Sequence, residues 1–144
     1  MGKILTYDES RESVDADCVF CIHNEQKDRV VFKSEYFVVK GDKFPIVEGH
    51  LLVIPKRHIN SPIDLNNSEW TNMRSVIEEA CLLLRNKDNE ITGYNIGINI
   101  GRDAGQTIPH MHIHVIPRRS NDIPDSKCGV RMVNPKNADH TTID

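Results

Sequence analysis

The chain has 144 residues, 38% hydrophobic and 27% charged, enough for one domain that buries its own core without disulfide staples. A formal net charge of −3 argues against a general polyanion binder, so no nucleic-acid partner is expected and any phosphate site must be local. No run approaches the ~18 apolar residues a membrane helix needs, and the polar start MGKILTYDESRESVDAD does not resemble a signal peptide, so a cytoplasmic protein with no membrane partner is expected.

Residues 1–14 read as a polar tail. Cys18 and Cys21 form a CxxC pair, which in a reducing compartment is redox-active, metal-binding or incidental. A thioredoxin-like use would need a preceding strand and an α/β pattern, and neither is evident. As a metal motif it is half a site, because zinc takes four N or S ligands. The stretch RVVFKSEYFVVK (29–40) predicts two short strands broken near Ser34 and Glu35. GDKFPIVEGH (41–50) is a loop, and HLLVIPKRH (50–58) a buried strand stopped by Pro55.

A helix follows. Asn66 with Glu69 makes a capping box, and Trp70, Met73, Ile77, Ala80, Cys81 and Leu84 recur at helical spacing as core contacts, Cys81 as an inert buried thiol. YNIGINIG (94–101) alternates as a strand with Tyr94, Ile96, Ile98 and Ile100 on one side. Pro109–Ile116 is the last clear strand, 119–128 a polar loop, and GVRMV (129–133) an edge or interface segment. Strands come mostly as neighbours, without regular strand–helix alternation, so the fold class is α+β on an antiparallel sheet.

The segment HMHIHVIPR (110–118) holds three of the seven histidines on alternate positions. In a strand His110, His112 and His114 share one face, ~7 Å apart along the chain, while Met111, Ile113 and Val115 pack beneath. One metal would comfortably take one or two of them. Before them, Gly105, Gln106 and Thr107 offer neutral donors suited to phosphate oxygens, and a histidine beside such a cradle can be a nucleophile, a general acid–base, or both.

GQTIPHMHIHVIPR, with DCVFC, GHLLVIPKRH and the Asn-ending strand upstream, resembles the histidine triad (HIT) superfamily from about Asp17 to Arg118. The trailing GVRMVNP is similar to bacterial members akin to dinucleoside polyphosphate hydrolases. The resemblance implies a HIT-like sheet of about five strands with one long and one short helix, a domain over 15–118, and a C-terminal extension, 119–144, at a homodimer interface. It implies a hydrolase that cleaves nucleotides at the α-phosphate through a nucleotidyl-histidine, acting on dinucleoside polyphosphates. A purine nucleoside phosphoramidase and a non-catalytic nucleotide- or zinc-binding module are the alternatives. A uridylyltransferase of the related kind would carry His-Pro-His where this chain has His-Met-His.

By motif position His112 is the nucleophile, His114 binds the α-phosphate and stabilises its charge, and His50 is a fourth active-site histidine. Asn99, Gly105, Gln106 and Thr107 match nucleotide-binding positions, and Asp42 the one that takes the ribose hydroxyls. Phe44 and Ile22 are candidates for an apolar base slot that would accept adenine or guanine. Some members complete a structural zinc site with two further histidines. Here those are His58 and His110, joining Cys18 and Cys21.

Overall fold

The computed structural model describes residues 17–21 and 29–138, so the expected tail over 1–14 and the base-slot candidate Ile22 lie outside the described residues. Five strands, β1 (Val30–Lys33), β2 (Phe37–Gly41), β3 (Leu51–Pro55), β4 (Ile91–Ile98) and β5 (Ile113–Arg119), form one antiparallel sheet in the order β1-β2-β3-β5-β4. A 21-residue helix, α1 (Asn67–Lys87), connects β3 to β4. Its shorter companions are single 3-10 turns. The α+β expectation therefore holds. Among the described residues, no helix is long and apolar enough to cross a membrane.

Strand periodicity divides the sheet into two faces. Phe37, Val39, Leu51, Val53, Ile113 and Val115 point to the α1 side and join Met73, Val76, Ala80 and Leu84 in one apolar cluster. On the opposite face Lys40, Leu52, His114 and Gly97 stand in a row, each paired with the next across the sheet. The central strands β2 and β3 are buried almost throughout, whereas β4 is an edge with Ile96 40% exposed.

Four sequence expectations shift. Trp70 lies outside the core, 46% exposed, and Ile77 and Cys81 sit at its margin. The inward stripe is Glu69, Met73, Val76, Ala80 and Leu84. Glu69 is the cause. It closes the capping box with Asn66 and accepts from Arg57 Nε and NH2 at 3.3 and 2.8 Å. Turning that carboxylate inward swings its neighbour about 100° round the helix, to solvent.

The second shift concerns β4, which begins three residues earlier than expected and ends at Ile98. Its partner strand stops there, at the Ile98–Ile113 pair. Third, GVRMV forms a 3-10 turn beside β4, with Val130 and Val133 exposed. Fourth, β5 begins at Ile113, so only His114 of the three histidines lies in regular strand. Pro109 brings no N–H, and the β3–β5 pairing stops at Val53–Ile113 although β3 itself runs on to Pro55. Met111 N–H bonds instead to Ile59 O at 2.6 Å. Alternation survives the irregularity: Met111, Ile113 and Val115 are all buried in the core.

Candidate functional site

Two clusters are built on the face away from α1. The first joins the N-terminal segment to the sheet. Cys18 Sγ lies 3.4 Å from His110 Nδ1, and Cys21 Sγ lies 3.2 Å from His58 Nδ1 and 3.6 Å from His110 Nδ1. All four ligand atoms fall within 4.8 Å of one another. Tetrahedral zinc, with Zn–S and Zn–N bonds of about 2.3 and 2.0–2.1 Å, sets neighbouring S and N ligands ~3.6 Å apart, so the spacing fits that ion.

The donor chemistry agrees. His110 Nε2 is 2.7 Å from Pro55 O. A carbonyl only accepts, so Nε2 carries the proton and Nδ1 turns a lone pair toward the thiols. Burial, with lesser contributions from the charges of His58, His112 and Lys40, lowers the His110 pKa to about 4 against an opposing bond to Pro55. The ring is neutral at pH 7, the form that ligates a metal. The sequence pattern therefore assembles a Cys2His2 cluster able to hold a metal ion.

The second cluster lies where the β2–β3 hairpin meets β5. Asp42 N–H bonds to His50 O at 3.0 Å, closing the hairpin and fixing the two residues opposite each other. Gly49, at φ 89°, makes the turn into His50; a Cβ there would meet side chains of Leu84 and Pro117 at 3.2 Å. His50 Nε2 is 2.9 Å from His114 Nδ1, and Asp42 Oδ2 is 3.4 Å from His50 Nε2 and 4.0 Å from His114 Nδ1.

The hydrogen bonds decide the tautomers in turn. Ile46 N–H donates to His50 Nδ1 at 3.3 Å, so the His50 proton is on Nε2 and is given to His114 Nδ1. Neutral His114 then carries its own proton on Nε2. Burial lowers the pKa of both rings, most for want of water around the charged form; the neighbouring histidines add to this in His114, and Asp42 opposes it in both. His112, 7% exposed, lies between the clusters. Its Nδ1 is 2.9 Å from His110 O and must donate, leaving a lone pair on Nε2. Its ring centroid is 5.1 Å from those of Phe20 and His114.

The remaining candidates spread around this centre. Asn99 lines a cleft of about 580 Å3 with His50, His114, Ile98 and Val130. Its amide nitrogen would lie 3.9 Å from a Cβ on Gly105. Gln106 braces its own loop, accepting from Gly101 N–H at 2.9 Å and donating to Asn60 O at 3.0 Å. The N–H groups of Gly105 and Gln106 go to Arg102 O and Gly101 O. Thr107 is exposed, on a neighbouring cleft with Gln106 and Ser61. Phe44, 76% exposed, shares a third cleft of about 440 Å3 with Phe20, Asp42, Leu52 and Ile108.

Sequence reasoning missed Phe20 beside His112, the Pro55 carbonyl and the Ile46 N–H. Phe20 stands inside the CxxC pair and was visible as a residue; the two backbone groups have no residue-type signal. Long-range ¹H–¹⁵N spectra at neutral pH are expected to find His112 protonated on Nδ1 and His50 and His114 on Nε2. Both of the latter should titrate below the ordinary value of about 6.5. An Nδ1-protonated His114 would break the derived chain of donors.

The HIT domain family matches residues 23–121. A bis(5'-nucleosyl)-tetraphosphatase (asymmetrical) of Schizosaccharomyces pombe is 40% identical over 82 residues, 57% of this chain and 44% of that protein. The chain thus spans less than half of that relative, and 24% of another curated relative it matches. A zinc-bound histidine triad family protein from Mycobacterium smegmatis has TM-score 0.65 at 32% identity, covering 83% of this chain and 91% of that one. A Plasmodium falciparum diadenosine triphosphate hydrolase has TM-score 0.67 at 26% identity, covering 88% and 83%. With its triad, its sheet and a family match over most of its length, the chain belongs to the HIT family.

Proposed function

We propose that this protein is a nucleotide hydrolase that cleaves dinucleoside polyphosphates at an α-phosphate through a covalent nucleotidyl-His112. The observation that carries the reading is the Nδ1–H bond of His112 to the His110 carbonyl, which leaves Nε2 as an oriented lone pair on the rim of the His50–His114 pair. In the first step His112 Nε2 attacks phosphorus and the bond to the bridging oxygen breaks, the electron pair leaving with the departing phosphate. In the second, water adds to phosphorus, the P–N bond breaks, and His112 returns to its neutral Nδ1–H form as water gives one proton to solvent.

His114 Nε2–H acts as a hydrogen-bond donor to the phosphate oxygens, held in that tautomer by His50. Asn99, Thr107 and the second amide proton of Gln106 would bind along the phosphate chain, with Gly105, its own N–H given to Arg102 O, shaping the loop beside it, and Asp42 would bind the ribose. The cleft of Phe20, Phe44 and Ile108 would take the base. The leaving group favours a polyphosphate over a phosphoramidate. A departing phosphate is stable as an anion at pH 7 and needs only donors, whereas a departing amine must gain a proton, and the His50–His114 pair is neutral. The names of the yeast tetraphosphatase and the Plasmodium hydrolase point to the same substrate class.

The zinc is read as structural, tying Cys18 and Cys21 to the sheet through His58 and His110 and taking no part in the chemistry. Protein purified without chelator should carry about one zinc per chain by elemental analysis, and Cys18→Ala should lower thermal stability more than it lowers turnover. Folded, metal-free protein would count against this. A homodimer completes the reading, since edge strand β4 and the adjoining turn expose Ile96, Ile100, Val130 and Met132, and Trp70 is bare on α1. Light scattering at micromolar concentration should give about twice the 16.4 kDa chain mass.

The decisive assay supplies diadenosine polyphosphate and an adenosine phosphoramidate to the protein and to His112→Asn. The variant should bind nucleotide within about threefold of the parent while turnover falls by roughly 10⁴-fold or more, the scale expected when a nucleophile is removed. Parent protein quenched in turnover should carry an acid-labile, base-stable label on His112. Full activity in His112→Asn, or label on His114, would overturn the assignment; binding without turnover of either substrate would indicate a non-catalytic module.

A further inference from the structure

Asp42, His50 and His114 form a second group of metal-ligating atoms, sharing no residue with the Cys2His2 cluster. The two ring nitrogens are 2.9 Å apart, and Asp42 Oδ2 is 3.4 and 4.0 Å from them. Tetrahedral zinc separates N and O ligands by ~3.4 Å, so the triangle closes on an ion with small adjustments. Its corners are held: the hairpin bond from Asp42 N–H to His50 O fixes two, and the pairing of His114 with Leu52 and Gly97 fixes the third. Two imidazoles and one carboxylate suit a late first-row ion. His114 also borders the 580 Å3 cleft, which leaves a coordination position for water.

We propose that Asp42, His50 and His114 constitute an open divalent-metal site that takes Zn²⁺ or Co²⁺ in competition with the nucleotide, making the metal an inhibitor of the same cleft. Only the competition rests on the nucleotide-hydrolase reading; the binding does not. Ligation changes the His50 tautomer. To ligate, His50 must move its proton from Nε2 to Nδ1, where Ile46 N–H now points at 3.3 Å. The metal-bound state therefore gives up that bond and also the Nε2–H donation to His114 Nδ1. A long hydrogen bond and a neutral donor pair are small losses against metal–ligand bonds. His114 would ligate through Nδ1 and keep its Nε2–H, so the competition falls on Asp42, whose carboxylate cannot take the ribose hydroxyls and the ion at once.

Chelator-treated full-length protein titrated with Co²⁺ tests this. The parent should bind two ions per chain, one bringing a thiolate-to-cobalt charge-transfer band and one adding visible absorption without it. The double substitution Asp42→Asn/His50→Gln should bind one, with the thiolate band intact as a sign that the fold and the first site survive. Adenosine monophosphate at ten times its own dissociation constant should raise the apparent Kd of the second ion about tenfold and leave the first unchanged. A parent that binds only one Co²⁺, a double variant that still binds two, or a second ion indifferent to the nucleotide would overturn the proposal. Protein that binds the second ion but hydrolyses no dinucleoside polyphosphate would leave this site standing and sink the hydrolase reading. Hydrolysis with only one bound ion would do the reverse.

Discussion

Burial of Met111, Ile113 and Val115 beneath α1 is the constraint on which the rest depends. Each is essentially inaccessible to water, and together they anchor an otherwise polar segment to the core. A slip of one residue would put three histidines under the helix and three apolar side chains in the cleft, so the register is strongly specified. With it fixed, His110, His112 and His114 must face the other side. There Asp42 and His50 are brought by the β2–β3 hairpin, and Cys18 and Cys21 by the N-terminal segment.

Within that frame, backbone carbonyls assign the chemistry. Pro55 O takes the His110 Nε2 proton and turns Nδ1 toward the cysteines; His110 O takes the His112 Nδ1 proton and turns Nε2 outward. Three like residues thereby present a lone pair toward two thiols, a lone pair toward the cleft and an N–H donor. Identity of residue type is no guide to role here, because a neutral imidazole presents one donor and one acceptor and its neighbours choose which faces where. Both deciding carbonyls lie beyond the Val53–Ile113 pair, where β3 and the histidine segment are no longer paired, so the oxygens serve rings there.

Much of this was legible beforehand. The strand breaks at Ser34 and Pro55, the capping box, the antiparallel sheet and the CxxC pair all follow from local patterns that the structure keeps, while His58 and His110 beside that pair came from the family resemblance. The misplacements share a cause. Trp70 fits the apolar spacing of α1 as well as Val76 does, and which face turns in is settled by contacts across the fold, the packing of Met73, Val76, Ala80 and Leu84 on the sheet and the Arg57–Glu69 ion pair. Strand β5 starts late because its pairing with β3 stops at Val53–Ile113, short of the end of β3 at Pro55, and nothing in HMHIHVIPR reports that stop. The phosphate loop was read as a set of available donors, while several of them are spent on bracing the loop itself.

The sequence alone determined the elements, the class of fold and the residue types that could carry phosphate and metal chemistry, because periodicity, caps and proline act over a few neighbouring residues. Only the tertiary structure decided which ring nitrogen of His50, His110 and His114 carries its proton, that Asp42 faces a pair of histidines, and how α1 is turned. Those outcomes rest on contacts across the sheet, such as His50 with His114 over 64 residues and His110 with Pro55 over 55. A hydrogen bond is short and directional, so its partners are settled by how the strands come together, and no local pattern encodes that.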